Sequence, residues 1–99
     1  MQNLFIIILK YIQPLDIIDQ NRAEHIKFLD QYYESNIFIA SGRQVTNDGG
    51  VIIATSEKIN TLQEIIKLDP FYKKNLAEYE IYEFTPSKYN IILKDIINK

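Results

Sequence analysis

Apolar positions change their spacing several times along this chain of 99 residues, and each change marks an element. NLFIIILKYI, Asn3 to Ile12, is β-branched and aromatic and runs up to Pro14, so it predicts a strand. Leu4, Ile6, Ile8 and Ile12 fall on one face of that strand, and Phe5, Ile7, Leu9 and Tyr11 on the other. A strand apolar on both faces is expected to be covered on both sides.

From Asp16 to Ser35 the spacing becomes helical, with Asp16 as the expected N-cap after Pro14. On a wheel of about 100° per residue with Ile18 at zero, Ile17, Ile26, Phe28, Leu29, Tyr32 and Tyr33 share one broad arc. Asp19, Gln20, Glu24, Lys27, Asp30, Gln31 and Glu34 occupy the other. His25, the only histidine, falls at about −20° and Arg22 at about +40°, both inside the apolar arc.

IFIASG (Ile37 to Gly42) and GGVIIAT (Gly49 to Thr55) read as two strands of a hairpin, joined by the polar segment Arg43 to Asp48. A second helix is expected from Ser56 as N-cap to about Leu68, with Ile59, Leu62, Ile65 and Ile66 at helical spacing. Asp69-Pro70 ends it, and a short turn or helix leads through Ala77 into EYEIYEF, a fourth strand stopped by Pro86. Ile92, Leu93, Ile96 and Ile97 predict a short C-terminal helix.

The resulting order, β-α-β-β-α-β, is that of the ferredoxin-like α+β fold with a four-stranded antiparallel sheet, here expected as one domain over residues 1–99. Two helices cover only one face of such a sheet. The apolar second face of the first strand would then be exposed, which predicts a homodimer packed through its sheet faces.

Composition narrows the function. Hydrophobic residues make up 46% and charged residues 24%, the balance of an ordinary globular chain. A formal charge of −2, with lysines dispersed among carboxylates, provides no basic field for a phosphate backbone, so nucleic acid is not an expected partner. With no cysteine, disulfides, thiolate catalysis and the common zinc motifs drop out; one histidine among scattered carboxylates predicts no metal site. The apolar run Leu4–Leu9 is too short for a membrane span or an export signal, and a cytoplasmic location is expected. Gly49-Gly50 precedes a strand and not a helix, so it is no phosphate loop.

His25 carries the chemistry. On an apolar helix face it is either a core residue with one hydrogen bond or an acid/base group in a cleft, since imidazole, with a reference pKa of about 6.5, exchanges protons near neutrality. Arg22 either pairs with a carboxylate such as Asp69, lays its stem along the apolar face, or offers its guanidinium to a carboxylate or enolate oxygen. Arg43 is a solvated loop charge or a second such group at the rim. The seven tyrosines read mainly as structural, among them Tyr79 on a strand.

Arg22 and His25 as R-x-x-H, Gly42 in IASGR, the GGVIIA strand and DPF (Asp69, Pro70, Phe71) before LAEYEIYEF together resemble the YciI-like, or YCII-related domain, family over about residues 1 to 88. The resemblance implies a small dimeric α+β barrel-type protein with a histidine and an aspartate as active-site pair, carried here by His25 and Asp69. Arg22, Gly42, Arg43 and Phe71 become the candidate substrate-binding residues. Gly42-Arg43 departs from the commoner Gly-Pro of the family. Asp69 has a plain alternative as a turn or capping residue before proline.

These readings combine into one expectation: acid/base proton transfer by His25 and Asp69, leading to elimination or isomerisation of a small organic anion, with no cofactor or metal. The competing expectation is a non-catalytic small-molecule-binding or accessory module built on the same pocket.

Overall fold

The computed structural model of the protein describes residues 2–99. Strands β1 (Asn3–Tyr11), β2 (Phe38–Arg43), β3 (Gly49–Ser56) and β4 (Ala77–Phe84) form one antiparallel sheet in the order β2-β3-β1-β4. Helices α1 (Leu15–Gln20) and α2 (Arg22–Glu34) connect β1 to β2, and α3 (Ile59–Ile66) and α4 (Pro70–Lys73) connect β3 to β4. A 3₁₀ turn at Ile91–Leu93 leads into α5 (Lys94–Ile97). This is the expected ferredoxin-like α+β arrangement, including the short C-terminal helix.

The alternation along β1 sets the architecture. Phe5, Ile7 and Leu9 are buried under the helices, where they meet Ile18, Phe28, Leu29, Leu62, Ile66 and Phe71 in one core. On the opposite face Leu4 is buried, whereas Ile6 and Ile8 keep part of their surface. Pairing places Ile6 beside Ile53 and Tyr82, and Ile8 beside Val51 and Glu80, so the helix-free face is apolar at its centre. Gly49 opens β3 where the backbone of β1 crowds it: a Cβ there would sit 1.9 Å from the carbonyl oxygen of Leu9. Only glycine fits that approach.

Three local expectations are corrected. The segment Asp16 to Ser35 is not one helix: it breaks at Asn21, whose side-chain amide donates to the Ile17 carbonyl at 2.9 Å and separates α1 from α2. The buried face carries on across the break through Ile18, His25 and Leu29, whereas Ile26, about 80° from Ile18 at the edge of the apolar arc, is 47% exposed. Asp16 lies within the first turn of α1, and its predicted capping position is taken by Pro14, which has no side chain to cap with. Ser56 closes β3; its hydroxyl accepts from the Lys58 N–H at 3.2 Å, so it shapes the turn before α3 while Lys58 stands at the N-cap.

Two asparagines end helices. After α2, Asn36 adopts φ 61° and Ile37 N–H donates back to Tyr32; after α4, Asn75 adopts φ 56° and Leu76 N–H donates back to Phe71. Both are left-handed C-terminal stops, which asparagine tolerates better than most residues. The second turns the chain directly into β4.

Candidate functional site

The site begins with the DPF segment. Asp69 is the N-cap of α4: its Oδ1 accepts from Phe71 N–H at 3.0 Å, and Pro70 fills the first helical position, where no N–H is needed. Capping fixes the carboxylate, and the fixed carboxylate reaches His25. Its Oδ1 lies 2.8 Å from His25 Nδ1, although 44 positions separate the two residues. On the other oxygen, Oδ2, the Tyr79 hydroxyl donates at 2.5 Å. Asp69 is fully buried and accepts from the Phe71 N–H on one oxygen and the Tyr79 hydroxyl on the other, the role of a carboxylate.

The tautomer of His25 follows. A carboxylate accepts, so the proton of the neutral ring sits on Nδ1 and the lone pair on Nε2. Among the described residues no hydrogen-bond partner meets Nε2, and the ring forms part of the wall of a cavity of about 220 Å³. Phe71 stacks on the imidazole with centroids 4.0 Å apart and 3° between the planes, and Phe28 flanks the ring at 6.4 Å. The imidazole is therefore fixed by a bond at one edge and a stack on one face.

Tyr79 stands at the inner end of this chain of contacts. Burial, then the neighbouring charge of Asp69 and the hydrogen bond to it, push its proton affinity well above the ordinary tyrosine range. It remains a donor to Asp69. The sequence places Tyr79 on a strand as a mainly structural tyrosine, one of seven of which any could lend a hydroxyl to a pocket; its parity with Ile81 on EYEIYEF, which turns it toward the helices, is the signal that singles it out.

The other candidates share the cavity with His25. Arg22, Gly42, Arg43 and Phe71 line it together with Tyr11, Leu29, Ser41 and Ile52. Arg22 does not meet Asp69. Its Nη2 and Nε lie 3.2 and 3.4 Å from Oδ1 of Asp19, one turn back across the helix break. Arg43 donates through Nη2 to the same oxygen and lies over the Tyr11 ring, 5.8 Å from its centroid. Its Nε is buried without a partner among the described residues. Gly42 is not required by space, since a Cβ there would meet nothing within 4 Å. Asp19, on the polar arc of the wheel, was not among the predicted site residues; only the fold brings it between two arginines.

A larger concavity of about 770 Å³ lies at the ends of β1 and β4, lined by Lys10, Asp48, Tyr72, Glu78, Tyr79 and Glu80 among others. Neither His25 nor Asp69 lines it. The smaller cavity is the candidate site because His25 and two arginines line it together. No group of three or more histidine or acidic side chains that could hold a metal ion occurs among the described residues.

Solved structures share this fold. 5-chloro-2-hydroxyhydroquinone dehydrochlorinase (TftG) from Burkholderia phenoliruptrix AC1100, in complex with 2,5-dihydroxybenzoquinone, superimposes with TM-score 0.72 at 22% identity, covering 88% of this chain and 98% of its own. SnoaB, a cofactor-independent oxygenase from Streptomyces nogalater, aligns with TM-score 0.52 at 13% identity over 91% of this chain and 97% of its own. No curated protein matches the sequence. The model of the YCII-related domain matches residues 4–85, and the chain belongs to that family.

Proposed function

We propose that this protein is a small-molecule enzyme in which His25 exchanges a proton with the substrate through Nε2, oriented by Asp69. The observation that carries the reading is the 2.8 Å contact between His25 Nδ1 and Asp69 Oδ1 in a histidine that lines a cavity. A base held in one tautomer beside guanidinium groups suits proton abstraction from a carbon or hydroxyl next to an oxyanion, followed by elimination or isomerisation. Arg22 and Arg43 would hold that oxyanion. The likeness to a dehydrochlorinase and to a cofactor-independent oxygenase supports a reaction class that runs on protein side chains and substrate.

The same proposal includes a homodimer. Ile6, Ile8, Val51 and Ile53 keep part of their surface on the helix-free face, and Tyr82 and Phe84 are 57% and 47% exposed there. A second copy packed on this face would remove that apolar surface from water.

His25→Gln tests the chemistry. Screening against small hydroxylated aromatic, quinonoid and lactone acids should find a turnover that this variant lowers by about 10²- to 10⁴-fold with the fold intact by circular dichroism. Full turnover in His25→Gln would remove His25 from the reaction. Ligand binding without turnover in the wild type would instead identify a binding module.

A further inference from the structure

Three donors converge on a single carboxylate oxygen at the mouth of the His25 cavity: Nε and Nη2 of Arg22 and Nη2 of Arg43 all meet Oδ1 of Asp19. Two guanidinium groups against one carboxylate leave one positive charge uncompensated. Glu24, the next acidic residue along the chain, on α2, is paired with Lys74 at 3.0 Å. Arg43 and His25 both line that cavity, and among the described residues neither the buried Arg43 Nε nor His25 Nε2 has a hydrogen-bond partner. Guanidinium groups suit an acceptor oxygen, and an imidazole lone pair suits an acidic proton.

We propose that Asp19 is a built-in competitor at the anion subsite, and that the ligand class is a small single-ring or short-chain acid whose carboxylate or enolate oxygen takes up the guanidinium hydrogens Asp19 now holds. The inference rests on the reading of this cavity as the substrate site. Size points the same way: about 220 Å³ is below the roughly 300–1,000 Å³ of sites for drug-sized ligands. Asp19 is more than half exposed, with its side chain at 53%, so it can swing into solvent when another anion arrives. Its pairs with Arg22 and Arg43 are accessible to water and correspondingly weak, which makes such an exchange feasible. Asp19 would then lower the affinity for anions, and leave that for neutral compounds of the same shape unchanged.

The test uses benzoate and its neutral counterpart benzamide, titrated into the full chain while the ring signals of His25 are followed by NMR. Benzoate is expected to bind and move the His25 signals, benzamide to bind more weakly. Asp19→Asn, an isosteric change at an exposed position, should tighten benzoate by about three- to tenfold and leave benzamide unchanged. Arg43→Gln should weaken benzoate by a similar factor, and added salt should reduce the difference between the two probes. Equal affinity for both probes, or no gain for benzoate in Asp19→Asn, would overturn the inference. So would benzoate binding that leaves His25 unmoved, since the anion subsite and the imidazole would then lie apart. None of these readouts depends on turnover, so they stand or fall separately from the loss of activity in His25→Gln.

Discussion

The imidazole of His25 and the ring of Phe71 lie parallel, 4.0 Å apart with 3° between their planes. Phe71 is positioned by the cap that Asp69 places on α4, and Asp69 also bonds the edge of the same imidazole. One short segment, Asp69 to Phe71, therefore fixes both the plane and the rotation of the histidine. Phe71→Leu keeps an apolar group but removes the stack. We expect a stability loss of about 1–3 kcal/mol in urea unfolding, and broader His25 ring signals by NMR. An unchanged midpoint and unchanged signals would show that the stack holds nothing.

Asp69 has two duties that substitution can separate. Asn is a good N-cap, so Asp69→Asn should keep the start of α4 while losing the carboxylate that His25 and Tyr79 face. Asp69→Ala loses both. Stability measured by denaturant unfolding should fall by about 1–3 kcal/mol in the first and further in the second, whereas both should lose activity to a similar extent. If Asn restored activity as well as stability, capping would be the whole role of the residue.

Tyr79 gives the protein an alkaline signature. Its proton affinity is raised in the folded state, so its contribution to stability is complete below the unfolded tyrosine value of about 10 and is lost as pH rises above it. Stability measured across alkaline pH should fall less steeply for Tyr79→Phe than for the wild type. At neutral pH the same variant should cost about 1–3 kcal/mol, because Asp69 Oδ2 loses its donor in a buried setting. Parallel alkaline slopes for the two proteins would contradict the buried Tyr79–Asp69 bond.

The helix-free face predicts its own experiment. Ile53 lies beside Ile6 near the middle of that face, and Ile53→Asp places a charge where a second copy would pack. Sedimentation at micromolar concentration should show a dimer for the wild type and a monomer for the variant. A wild-type monomer would end the proposal of sheet-to-sheet packing.

Much of the fold was legible because periodicity reports burial directly. A β-branched and aromatic run apolar on both faces marked β1, GGVIIAT marked β3, EYEIYEF before Pro86 marked β4, and the order of elements led to the ferredoxin-like sheet. The break at Asn21 was not legible, since the apolar spacing continues across it and the interruption depends on a side-chain bond to Ile17. The Asp-Pro pair carried a local signal for a cap, and the structure gives it that role together with a second one that no local pattern encodes.

By itself, then, the sequence determined which stretches become strands and helices and which of their faces are apolar, because those follow from local spacing and propensity. It also put one histidine on an inward helix face and one aspartate before Pro70. Tertiary structure decided everything that depends on long-range meeting: His25 with Asp69 across 44 positions, Tyr79 behind the carboxylate, and Asp19 between Arg22 and Arg43. Hydrogen bonds need distances within a few tenths of an ångström. Such distances are set by how helices seat on the sheet, not by the spacing of residues along the chain.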